Sequence, residues 1–308
     1  MKFAGFLTLL ASLFIVACTP GGLESMRVQD AKFIIGGKMV KKDSPIAKST
    51  VGIYDINTAM LCTGILLENN VVLTAAHCLN PDLTETFVFF TTDMESIIES
   101  YDSIHKSSKT RRVSAAVVHT EFKTPEEIRG TSNPANDIAI LKFKGTVPNG
   151  YKPANFLTSP KLLKPGQEVI VAGYGVDTDE VTELDIEKTE DLQTLMDEGV
   201  AICYFDDDTK KERCVTEEFS GLAVLKSTSV KIGSIPNPLE YIVLQDKTHG
   251  PCTGDSGGPA FIKSGSKYFV WGITSRGDIG CSTRTYYTNI LAYKTWIVEN
   301  SARLIPYK

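Results

Sequence analysis

Short apolar runs, each closed off by turn residues, set the tightest limit on how this 308-residue chain can fold. Ile65-Leu66-Leu67, Val71-Val72-Leu73, Phe87-Val88-Phe89-Phe90, 113–118 and 138–143 are all too brief for a helix of ordinary length. After a connection rich in proline and glycine at 148–165, such runs resume at Val169-Ile170-Val171, 222–232, 241–244 and 268–273. This pattern predicts an all-β barrel or sandwich rather than alternating strands and helices. One helix is expected at the end, in 289–300, where Ile290, Tyr293, Trp296 and Ile297 share a helical face. The expectation is two barrels of similar size, about 34–150 and 151–288, followed by that helix.

Charge marks an interruption in the second barrel. Residues 177–218 carry sixteen acidic and four basic side chains, a local balance of -12 against -5 for the whole chain, so the remainder is net positive. An acidic insertion at about 177–219 is therefore expected on the surface. Within it, Thr189 is expected to cap a short helix with Glu190 and Asp191 in its first turn and Gly199 past its end. Leu192, Leu195 and Met196 would share the packed face. Asp206-Asp207-Asp208 lacks the alternate spacing and the glycine of a calcium loop. No lysine- or arginine-rich tract with interleaved aromatics is present, so no nucleic-acid partner is expected.

The N-terminus has the form of a targeting signal. Lys2 precedes an apolar run at 3–17 that is too short to span a bilayer. It ends in Ile15-Val16-Ala17-Cys18, which resembles a bacterial lipobox, where the cysteine is lipidated and becomes the mature N-terminus. Plain cleavage after Ala17 is the alternative. Seven cysteines leave one over after pairing, and assigning Cys18 to the lipid accounts for it. Residues 1–17 are thus expected as a signal peptide and 18–33 as a lipidated tether or pro-segment. The only membrane contact would be through Cys18, and export to an oxidising compartment allows disulfides among the other six cysteines.

Three blocks carry the chemistry: Thr74-Ala75-Ala76-His77-Cys78, Asn136-Asp137-Ile138-Ala139-Ile140-Leu141 and Gly254-Asp255-Ser256-Gly257-Gly258-Pro259. A serine hydroxyl needs an adjacent base to become a nucleophile, and that base needs a buried acid to fix its tautomer. An unpaired carboxylate at the head of an apolar strand is costly, and a histidine partner for Asp137 removes that cost. His105 and His119 lack comparable surroundings. In content and in His–Asp–Ser order, the blocks resemble the trypsin/chymotrypsin family of serine endopeptidases.

That resemblance implies two six-stranded antiparallel β-barrels with a C-terminal helix, together forming one protease domain at 34–308. It implies Ser256 as nucleophile, His77 as general base and acid, Asp137 as orienting carboxylate, and the Gly254 and Ser256 amides as oxyanion hole. Ser275 would support Asp137 and begin the substrate-binding strand. No metal or organic cofactor is expected, and the partners would be protein or peptide substrates and an activating protease. Cys62–Cys78 and Cys252–Cys281 match family disulfides, whereas Cys203 and Cys214 form a third plausible pair with no family counterpart.

Ile34-Ile35-Gly36-Gly37 resembles the family's activation motif, in which a cut before the first isoleucine frees an ammonium that pairs with the aspartate before the serine, here Asp255. Phe33 precedes Ile34 where family members usually carry a basic residue, so a separate activator is expected. Such a cut would also sever the domain from Cys18, releasing it from the envelope to the periplasm or beyond. In the substrate pocket, Gly250 stands where trypsins place a floor aspartate, Gly277 fits the open wall, and Thr285 replaces a second glycine. A neutral, narrowed pocket is expected, without arginine or lysine specificity.

Overall fold

Neighbouring residues of a strand face opposite sides, and in the first half of this chain both sides are apolar. Leu66, Val72 and Leu141 pack with Val51, Ile53, Val88 and Phe143, all from one set of strands. Their neighbours Ile65, Leu73 and Ile140 pack instead with Tyr174, Phe261, Val270 and Ile273 from the second half. Each buried side chain of this kind contributes roughly 1.5–3 kcal/mol. This double burial is why the runs are continuous rather than alternating.

The computed structural model describes residues 34–304 except 130, 132, 190, 199, 207 and 208. The signal peptide, the tether and Cys18 lie outside the described residues. Six strands, Thr50–Asp55, Met60–Leu66, Val71–Thr74, Thr86–Phe89, Thr110–Val118 and Ala139–Phe143, close into an antiparallel barrel. A second closed antiparallel ring is built from Glu168–Gly173, Lys226–Asn237, Glu240–Leu244, Pro259–Ser264, Lys267–Gly277 and Arg284–Asn289. Glu168–Gly173 completes it by pairing with both Lys226–Asn237 and Pro259–Ser264. Val169, Val171, Val230, Ile232, Val243, Trp271 and Tyr287 form its core.

Three features depart from the sequence expectation. Lys38–Met39 pairs with Lys226 and Ser227, so this first described strand joins the second barrel's sheet and not the first. The terminal helix is Lys294–Arg303, with Ile290 and Tyr293 buried on the approach to it because Asn289 is still strand. The acidic insertion is no bare loop. Thr178–Leu184, Ala201–Asp206 and Lys211–Ser220 form a three-stranded antiparallel sheet. Its short helix, Leu192–Asp197, follows Asp191 at φ 59°, while the Thr189 hydroxyl donates to the Asp185 carbonyl instead of capping. Cys203 lies opposite Cys214 in register and is bonded to it, as Cys62 is to Cys78 and Cys252 to Cys281. No helix among the described residues is long and apolar enough to cross a membrane.

Candidate active site

His77 sits in a single tight turn, Ala76–Cys78, tied to the first barrel by the Cys62–Cys78 bridge. Asp137 lies two residues before the strand Ala139–Phe143 and is 3% exposed. Its Oδ2 accepts from His77 Nδ1 at 2.8 Å and from Ser275 Oγ at 2.7 Å, while Oδ1 accepts from the His77 amide at 3.1 Å. The backbone around it is fastened too. Thr288 Oγ1 donates to the Asp137 carbonyl at 3.0 Å, and Tyr293 OH donates to Asn136 Oδ1 at 2.6 Å.

Charge and burial oppose each other in this pair. Burial pushes Asp137 up, but the His77 charge and the hydrogen bonds from His77 and Ser275 hold it below the usual carboxylate range. Burial pulls His77 down, yet the Asp137 charge and hydrogen bond together keep the imidazole above its ordinary value. An imidazole whose Nδ1–H is given to a carboxylate presents Nε2 as the proton acceptor, which is what a general base requires.

Ser256 lies in the loop that runs from the Cys252–Cys281 bridge into the strand Pro259–Ser264. Thr63 holds this loop: its amide donates to the Ser256 carbonyl at 2.8 Å and its hydroxyl to the Gly254 carbonyl at 2.9 Å. The Thr253 carbonyl accepts from Val176 and the Asp255 carbonyl from Gly258. In a trans peptide the N–H points opposite the carbonyl, so the Gly254 and Ser256 amides are turned away from those internal bonds. Such paired amides can stabilise an oxyanion. Gly254 has φ +93°, and a Cβ there would come within 2.8 Å of Gly175 Cα, so only glycine fits.

Asp255 is 1% exposed and accepts from the Gly175 amide at 2.8 Å and the Cys252 amide at 2.9 Å. Burial pushes its carboxyl up to about 7, although those two bonds and the nearby Lys226 charge oppose the rise. Ile34 is fully buried, and Ile35 packs with Val176, Cys252 and Cys281 while its carbonyl accepts from the Gly250 amide at 2.9 Å.

A cavity of about 210 Å³ opens beside Ser256, with Ser275, Gly277 and Thr285 in its wall. Gly250, expected in the pocket, does not line the cavity. A Cβ there would meet Gln245 Cβ at 2.5 Å, and Gln245 Oε1 accepts the Thr285 hydroxyl, so Gln245 fills the space behind the pocket. The pocket is also not neutral, because Asp179 and Glu217 from the insertion line it. Composition marks the insertion as acidic, but nothing local in the sequence tells which two of its carboxylates turn inward. Arg276 stands over the Tyr286 ring at 4.0 Å and pairs with buried Glu240 at 2.6 Å. That stack and ion pair fix the Arg276 side chain.

Sequence comparison matches most of this chain to known proteins. The family model described as Trypsin matches residues 34–217 and 233–297. Kallikrein-1 from Mus musculus is 27% identical over 305 residues, covering 94% of this chain and 97% of that protein. Kallikrein 1-related peptidase b8 from the same organism is 26% identical over 302 residues, covering 94% and 98%. Chymotrypsin-like elastase family member 1 from Canis lupus familiaris is 26% identical over 242 residues, covering 77% and 79%.

Proposed function

The chain belongs to the trypsin family and is a serine endopeptidase, and from that premise we propose that Ser256, His77 and Asp137 carry its chemistry. Ser256 Oγ attacks the scissile carbonyl while His77 Nε2 takes its proton. The negative charge that develops on the carbonyl oxygen is held by the Gly254 and Ser256 amides. Asp137 stabilises the imidazolium without taking its proton. The tetrahedral intermediate then collapses, His77 protonates the leaving amine, and an acyl-Ser256 ester remains. Water, deprotonated by His77, hydrolyses that ester and restores the serine. The observation that carries this reading is the bridge at Asp137, which binds His77 of one barrel and Ser275 of the other through a single carboxylate oxygen.

The enzyme is made as a zymogen and exported. Asp255 is buried with two amide donors and its carboxyl is pushed up to about 7, a site that gains from a paired cation. A cut before Ile34 by a separate protease supplies that cation as a new α-ammonium. Cys18 carries a lipid anchor, so activation and release from the cell envelope are one event. Ser256→Ala tests the chemistry: loss of turnover with all three disulfides formed supports it, and substantial turnover by the variant rejects it. Mass spectrometry of the anchored and released forms tests the rest. An active enzyme still joined to a lipidated Cys18 would reject the coupled release.

A further inference from the structure

The inserted sheet delivers two carboxylates to the cavity beside Ser256. In its register Asp179 faces Phe219, and Glu217 faces Val181. Side chains two apart on a strand share a face, so Asp179 and Glu217 are diagonal neighbours on one face. Like charges so placed repel. Burial raises both carboxyls above their usual range, and the Gly280 amide opposes the rise for each. Asp179 Oδ1 is buried without a hydrogen-bond partner, and among the described residues no cation pairs with either side chain.

The remaining charged groups of the cavity are already engaged. Arg276 is paired with Glu240. The Asp278 carboxylate accepts from the Ser282 amide and hydroxyl and from the Thr283 and Arg284 amides, which fixes the turn of the wall. What is left facing the cavity is net negative and lacks a counter-charge. We propose that Asp179 and Glu217 make this pocket a receptor for a basic side chain, lysine or arginine, at the residue before the scissile bond. The charge comes from the insertion, in place of the floor position expected at Gly250. At about 210 Å³ the cavity has room for one extended side chain. The proposal rests on Ser256 being the nucleophile, since that fixes which substrate residue enters the cavity.

Two measurements separate its failure from failure of that reading. The first is calorimetric binding of benzamidine, a small aromatic amidinium, to the Ser256→Ala protein with Ile34 at its N-terminus. Binding is expected, and it should weaken at least about tenfold in a chain that also carries Asp179→Asn and Glu217→Gln. The second is kcat/KM of the active enzyme on a peptide series differing only at the residue before the cut. Arginine or lysine should be preferred over alanine, and the double substitution should cut that ratio at least about tenfold. No benzamidine binding, or a preference ratio unmoved by the substitutions, overturns the proposal. Carboxylate-dependent benzamidine binding by a protein that hydrolyses no peptide would leave the pocket assignment standing and reject Ser256 as nucleophile.

Discussion

Ser275 Oγ donates to Asp137 Oδ2 at 2.7 Å, and this one bond ties the second barrel to the carboxylate that orients His77. Ser275 is 4% exposed and also lines the cavity beside Ser256. In the proposed mechanism, substrate binding and base orientation would therefore share a residue. Ser275→Ala leaves a buried carboxylate short of one donor, a loss of about 1–2 kcal/mol. We expect kcat to fall about tenfold and the pH midpoint of activity to move, both readable from steady-state rates against pH.

The pH profile itself follows from His77. In the proposed mechanism its imidazole must be neutral to accept the Ser256 proton, and the Asp137 charge and hydrogen bond, outweighing burial, hold it above its ordinary value of 6.5. Activity is therefore expected to rise with pH through a midpoint above 6.5. Asp137→Asn removes the raising contribution and leaves burial, so the midpoint should drop below 6.5 and kcat should fall by about 10⁴. For stability the sign is the reverse. A histidine raised by its partner contributes stability fully below its unfolded value, and that contribution is lost as pH rises through the folded one.

Asp255 makes a second prediction with a worked sign. Its carboxyl is raised from 3.8 to about 7 in the uncut chain, so folding favours the protonated form. This group's contribution is present below about 4 and is lost as pH climbs through 7, by roughly 4 kcal/mol at most. The proposed cleavage before Ile34 would supply an ammonium and reverse the trend. Melting curves of uncut and cut Ser256→Ala chains at pH 5 and 8 should show the cut form gaining at pH 8. Adding Asp255→Asn should erase that difference in slope.

The insertion should be separable from the catalytic machinery in stability but not in selectivity. Cys203–Cys214 closes a hairpin between Ala201–Asp206 and Lys211–Ser220, and Arg213 adds ion pairs to Glu183 and Asp206. Replacing both cysteines with serine is expected to remove about 2–3 kcal/mol of local stability. Limited proteolysis should then cut first within 177–219 while the rest of the chain stays intact.

How legible this was depended on distance along the chain. Thr-Ala-Ala-His-Cys, Asn-Asp-Ile-Ala and Gly-Asp-Ser-Gly-Gly carry their meaning in contiguous residues, and most barrel strands announce themselves because both their faces are buried. Strand Arg284–Asn289 does not: its buried residues are Thr285, Tyr287, Thr288 and Asn289, with Thr288 satisfied by the distant Asp137 carbonyl. The same holds for Gln245, which fills the space a side chain at Gly250 would take. Asp179 and Glu217 become pocket residues only through the register of a sheet whose two strands are far apart in the chain, and no local pattern encodes that register.

The most direct test of the central claim is covalent. The purified chain with Ile34 at its N-terminus is treated with a fluorophosphonate, digested, and the adduct located by mass spectrometry. The predicted result is one adduct, on Ser256, with labelling suppressed by His77→Ala and absent in Ser256→Ala. A folded chain with all three disulfides that takes no adduct, or takes it on another residue, would contradict a serine endopeptidase working through Ser256.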